Sequence, residues 1–204
     1  MIKKIEKIPF TVILLASFFV VALAFGIKGG YNYYRETSAR KNGTLVTYTL
    51  SVEDFVYDGM REKDGAWQTT DGDPKMYFSV NGGFTGVAVN ADYMVYPGDI
   101  ILYYTTVPDS DFSRKNRLYI SQSKTEKELY TGSVPVTNVA DIRLDPTTVA
   151  GNMIEFDSII INPPHSLTDY LAVQTHNIMM WVIYSLLLAA IFRFVQEFFT
   201  KSFE

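Results

Sequence analysis

The residues of this chain best equipped for chemistry are carboxylates and aromatic rings. Asp71 and Asp73, and Asp109 and Asp111, stand two apart in turn-rich stretches. Hydrolysis of a glycosidic bond needs two acids about 5–10 Å apart across a cleft. Loop acids at this spacing more often form turns or a weak Ca²⁺ site completed by carbonyl oxygens. Asp71-Gly72-Asp73 lacks the later ligands of an EF-hand loop, so a structural Ca²⁺ is the only metal these acids suggest. No other cofactor is expected. The chain has two histidines, His165 and His176, and no cysteine, so neither a His/Cys metal cluster nor thiolate chemistry is available. No nucleophile elbow and no phosphate-cradling loop before a helix is present. Asn81-Gly82-Gly83 reads as a hairpin turn between strands. The chain is therefore expected not to be an enzyme, with loop carboxylates as the alternative catalytic groups.

Aromatic residues are the more suggestive set. Trp67, Tyr77, Tyr93, Tyr96, Tyr103 and Tyr104 fall in the β-rich region. Sugar rings stack their C–H faces on such side chains, while nearby carboxylates take the hydroxyls. Candidate glycan contacts are Trp67, Asp71, Asp73, Tyr77, Tyr103 and Tyr104. The competing reading is plain packing, because aromatic residues favour strands and cores. For adjacent Tyr103 and Tyr104, alternation sends one ring to the core and one to the opposite face.

The elements that position these residues follow from pattern. From Thr44 on, short alternating runs suggest strands at Leu45–Leu50, Phe55–Tyr57, Lys75–Val80, Gly86–Val89, Ile100–Thr105, Arg117–Ile120, Ile142–Leu144 and Ile154–Ile161. Turn signals separate them, among them Asp71-Gly72-Asp73-Pro74, Tyr96-Pro97-Gly98-Asp99 and Asp145-Pro146. No segment of this region has a sustained helical period. Many short strands without intervening helices predict an antiparallel β-sandwich or barrel. Arg143 and Asp145 share a face of one strand and can pair with each other or across the sheet. With Pro146 they are expected to be structural.

Two apolar segments bracket the β region. Pro9–Ile27 is 19 residues without a charge, a helix of roughly 28 Å, close to the thickness of a bilayer core. The second centres on Ile178–Phe192 and extends back to Tyr170 through Gln174, Thr175, His176 and Asn177. Polar side chains in a span find water or partners, so Gln174, His176 and Asn177 are candidate contacts with a partner helix. Lys3, Lys4 and Lys7 before the first span, and Arg193 and Lys201 after the second, favour cytoplasmic termini and an extracytoplasmic central domain. Ala22-Leu23-Ala24 also fits a signal-peptide cleavage site, which would leave the domain outside on one helix. The expected organisation is a tip and first span over 1–28, a linker over 29–43, the β-sandwich over 44–165, the second span over 166–195 and an interfacial tail over 196–204. The segment from Lys28 to Asp169 carries 19 acidic and 13 basic residues, net −6. This disfavours nucleic acid as a partner.

Two stretches carry a family resemblance. One is Trp67-Gln68-Thr69-Thr70-Asp71-Gly72-Asp73-Pro74-Lys75-Met76-Tyr77-Phe78. The other is Ile142-Arg143-Leu144-Asp145-Pro146 followed by Ile154-Glu155-Phe156-Asp157-Ser158-Ile159-Ile160-Ile161. Gly98–Tyr104 and Asp111-Phe112-Ser113 lie between them. This order resembles the galactose-binding-like, jelly-roll β-sandwich domains of bacterial membrane proteins that assemble surface polysaccharide. The resemblance implies a mainly β, jelly-roll-like sandwich between two transmembrane helices. The larger proteins of that kind carry a cytoplasmic transferase domain or many more spans, and this departure suggests a non-catalytic accessory protein of the cell envelope, which binds or guides a surface glycan or docks on a membrane glycosyltransferase. The alternative is a purely structural subunit of a larger membrane complex.

Overall fold

The computed structural model describes residues 8–172 and 175–202. They form two units, one made of the terminal helical segments and one spanning Tyr34–Pro164.

The helices are α1 Phe10–Lys41, α2 Leu167–Leu171 and α3 Thr175–Ser202, and the helical unit holds α1 up to Tyr33 together with α2 and α3. The apolar parts of α1 and α3 are each long and apolar enough to cross a membrane, with mean hydropathy 2.7 and 2.2. Two boundaries differ from expectation. Gly29-Gly30 does not end the first helix, because glycine in a helix interior costs only about 1 kcal/mol and helical residues flank the pair on both sides. Tyr170 belongs to the short α2, which Ser166 caps through its hydroxyl to the Asp169 N–H, so the long C-terminal helix begins at Thr175 and runs on through the expected tail. Within the unit Phe25 packs on Trp181, ring centroids 5.4 Å apart. Lys3, Lys4, Lys7 and Gln174 lie outside the described residues, as do the side chains of His176, Asn177 and Lys201.

The second unit is antiparallel β. Its strands are β1 Tyr48–Leu50, β2 Val56–Asp58, β3 Met60–Lys63, β4 Ala66–Thr69, β5 Lys75–Tyr93, β6 Ile100–Tyr104, β7 Arg117–Gln122, β8 Leu129–Asp145 and β9 Met153–Ile161. β3 and β4 were not expected, because they are short and flank the Asp64-Gly65 turn, which leaves little alternation to see. The expected pattern also divides one long strand. Asn81-Gly82-Gly83 is not a hairpin turn, since β5 continues through it for 19 residues. The register against β8 slips between Ser79 and Gly82 and again between Phe84 and Gly86. Such bulges bend a strand and sharpen its twist without ending it.

Those bulges organise the unit. The first half of β5 lies between β2 and β8, whereas its second half lies between β8 and β9. The second half of β8 pairs with β6, and its first half reaches β7. One sheet is thus folded on itself, with β5 and β8 shared by both layers. Met76, Leu102, Ile142 and Leu144 of one layer and Val87, Val89, Ile154, Ile159 and Ile161 of the other meet in one core. Gly86 sits at the fold with φ +148°, and a Cβ there would lie 2.2 Å from the Gly132 carbonyl oxygen, so only glycine fits.

The loops at one end are knitted by three buried side chains. Thr69 donates to the Val149 carbonyl and Thr147 to the Pro97 carbonyl, while Asn152 exchanges bonds with the Val95 backbone. Pro146 is buried among them. Gly98 takes φ +71°, and a Cβ would stand 2.2 Å from Thr148 Oγ1. Gly98→Ala is expected to cost about 1–2 kcal/mol, the left-handed penalty plus displacement of a movable hydroxyl. Adding Thr148→Ala should recover part of it. Denaturant melts of the single and double variants test this, and strictly additive losses would contradict it.

Candidate functional site

Strand register assembles the site. Tyr77 of β5 stands opposite Arg143 of β8, which stands opposite Tyr103 of β6, which stands opposite Arg117 of β7. Neighbouring strands are about 4.8 Å apart, so the four side chains form a row across the sheet. Their inward neighbours Met76, Ile142, Leu144 and Leu102 are fully buried, so the row lies on the outer face. The adjacent row places Lys75, Asp145, Ile101 and Tyr119 on the same face, by alternation from the same pairings.

Arg143 is the centre of this face. Its guanidinium makes two parallel hydrogen bonds to Asp145, Nε to Oδ1 and Nη2 to Oδ2, both 2.8 Å. It also lies 4.4 Å from the Tyr103 ring centroid and 5.5 Å from that of Phe112. Phe112 in turn sits 5.9 Å from Tyr77. Two rings and a carboxylate therefore hold one guanidinium in a fixed plane, with Tyr77 packed behind Phe112. Lys75 bonds Asp73 at 2.7 Å, and that bond raises the Lys75 pKa. Burial pushes the Asp145 carboxyl up, against the pull of Arg143. The opposing charges alternate along the face: Asp73, Lys75, Asp145, Arg143.

The sequence candidates separate into two groups. Tyr77, Tyr103 and Asp73 lie on or beside this face. Trp67 does not: it is on β4 rather than in a loop, 8% exposed, with Tyr57 edge-on to it at 4.8 Å. An indole packed into the core has no ring face for a sugar. Tyr104 points inward and packs near Phe84, 6.1 Å away. Asp71 shapes the turn before β5, where its Oδ1 accepts the Asp73 N–H at 2.8 Å. No group of three or more His, Cys, Asp or Glu positioned to hold a metal occurs among the described residues. Arg143 and Asp145 do pair with each other, and they do so inside the aromatic face. Phe112 and Arg117 had no signal as site residues, because their neighbours on the face come from strands distant in sequence.

No protein-family model and no curated protein sequence matches the chain. Solved structures similar to it include a CBM6 module of Clostridium stercorarium in complex with cellobiose, at 14% identity and TM-score 0.35, covering 57% of this chain and 94% of that one. A β-1,3-glucan-binding CBM6 of Bacillus halodurans has 12% identity and TM-score 0.38, covering 57% and 96%. The xylan-binding module CBM86 of Roseburia intestinalis has 12% identity and TM-score 0.35, covering 57% and 94%.

Proposed function

We propose that the β unit binds carbohydrate across the outer face of β5, β8, β6 and β7, and that the terminal helices hold it at a membrane. The observation that carries this reading is the Tyr77–Arg143–Tyr103 row with Phe112 beside it. Tyrosine rings offer apolar faces to sugar C–H groups, while Arg143, Asp145 and Asp73 offer donors and acceptors to hydroxyls. The face is half-exposed, and the ion pairs Arg143–Asp145 and Lys75–Asp73 fix the geometry of its charged groups. Rigid placement lowers the ordering cost of binding.

In this reading the chain is a non-catalytic accessory protein of a bacterial cell envelope, with both termini cytoplasmic. Its jelly-roll-like domain would guide a surface polysaccharide or dock on a membrane glycosyltransferase. The length and apolarity of α1 and α3 support the anchoring. The polar residues Gln174, His176 and Asn177 near the start of the second apolar segment support a membrane-protein partner.

Glycan-array binding of the full chain in nanodiscs tests the site. Tyr77→Ala and Tyr103→Ala should each weaken binding about fivefold by loss of a stacking face. Tyr104→Phe and Asp71→Asn should leave it unchanged. Binding that survives both ring deletions, or an array with no bound glycan, rules out this face.

A further inference from the structure

We infer that the glycan bound on this face is acidic and extended, one bearing carboxylate, sulfate or phosphate groups along its length. This deepens the carbohydrate reading above and rests on it.

The row does not stop at Tyr103. Arg117 stands opposite Tyr103 on β7, and its guanidinium lies 5.0 Å from the Tyr119 ring centroid. Unlike Arg143, which Asp145 holds, and Lys75, which Asp73 holds, Arg117 has no carboxylate partner among the described residues. Arg114 and Lys115, three and two positions before it, are exposed and equally without a carboxylate partner among the described residues. In a domain with an acidic surplus, three free cations gather at the one edge where the aromatic row continues. Asp109 and Asp111 of the same loop carry the opposite sign, five and three residues before Arg114. A guanidinium fixed on a ring presents a planar fork that matches carboxylate, sulfate or phosphate.

The extent of the face sets the second half of the inference. From Tyr77 to Arg117 it crosses four strands, about 14 Å at the usual strand spacing. Beyond Tyr119 it continues into a cleft of about 200 Å³ lined by Tyr96, Asp99, Tyr119, Gln122 and Tyr130, among others. Tyr96 is exposed there, and Gln122 donates to the Lys127 carbonyl. A single sugar cannot reach from Tyr77 to this cleft. An oligosaccharide lying across the strands can, with its anionic groups over Arg117.

The test uses the full chain in nanodiscs of neutral lipid and two panels of oligosaccharides. The acidic panel holds oligogalacturonate, alginate and sulfated oligomers, and the neutral panel holds methyl-esterified oligogalacturonate, cello-, laminari- and xylo-oligomers. At least one acidic oligomer should bind about tenfold more tightly than every neutral one, and its affinity should fall with added salt. Arg117→Met, which keeps an apolar stem over Tyr119, should erase that preference, bringing acidic affinity down to the level of the neutral oligomers. Lys124→Met, an exposed charge in the β7–β8 turn, should change neither. Neutral oligomers bound as well as acidic ones, or a preference unmoved by Arg117→Met, overturns the acidic ligand and leaves the carbohydrate reading standing. An equal affinity for dimers and hexamers overturns the extended ligand. No binding in either panel overturns both readings together.

Discussion

Arg143→Met should abolish most glycan binding, weakening it about thirtyfold or more. Bonds to a charged group contribute about 1.5–3 kcal/mol each, and 1.4 kcal/mol is tenfold in affinity. The substitution also frees Tyr103 and Phe112 from the group between them. The side chains of Arg143 and Asp145 are only 19% and 11% exposed, so Asp145 is left with its charge largely out of water. We expect a stability loss of about 1–3 kcal/mol at neutral pH. Its pH dependence distinguishes this account from simple misfolding. Burial already raises the Asp145 pKa, and losing Arg143 raises it further. A carboxyl whose folded pKa lies above its unfolded value favours the fold when protonated. The deficit should therefore shrink as pH falls from neutrality towards the ordinary carboxylate range. Chemical denaturation of wild type and variant across pH 4–8 measures this. A deficit that stays constant or grows on acidification contradicts the assignment. Arg143→Lys, which keeps the charge but not the fork, should recover stability better than binding.

Asn162→Ala should be the most damaging single change to the fold, at about 3–5 kcal/mol. Asn162 is fully buried and sits just after β9 with φ +57°. Its Oδ1 accepts the Thr85 N–H at 2.9 Å, and its Nδ2 donates to the carbonyls of Val46 and Gly83 at 2.8 and 2.9 Å. These partners lie at the β5 bulge and at the approach to β1. The bulge takes Thr85 out of register with β8 while Gly83 stays opposite Asn138, and the amide satisfies the Thr85 N–H and the Gly83 carbonyl. Its backbone carbonyl also accepts from Arg40 and Thr47, and those bonds survive truncation of the side chain. Alanine would leave buried donors and acceptors unpaired and also adopt a left-handed backbone. Asn162→Gly removes the same bonds without the backbone penalty, so it should be milder by about 1 kcal/mol. Denaturant midpoints compare the two. A loss below 1 kcal/mol for the alanine variant would show that water replaces the amide.

Both predictions depend on neighbours that alternation does not name. Alternation separates Tyr103 from Tyr104, and the structure sends Tyr104 to the core and Tyr103 to the outer face. It says nothing of Arg143 standing between Tyr77 and Tyr103, because those residues meet only through pairing across strands far apart in sequence. The expected hairpin at Asn81-Gly82-Gly83 failed for a related reason. A glycine pair between alternating runs marks either a reversal or a bulge, and only the continuous partner strand β8 decides which. Trp67 shows the same limit: beside an acidic turn it resembles an exposed platform, yet the pairing of β4 with β3 and β9 carries it into the core.

Local patterning suffices for the two apolar helices, the β character between them, the face on which most side chains lie, and the pairing option of Arg143 with Asp145. These are local properties, set by composition, period and spacing within a few residues. The tertiary structure alone decided that β5 and β8 pass from one layer to the other, that Asn162 closes the gap they leave, and that Tyr77, Arg143, Tyr103 and Arg117 form one row. Register between distant strands arises from core packing and bulges acting over the whole sheet, which no local window of sequence contains.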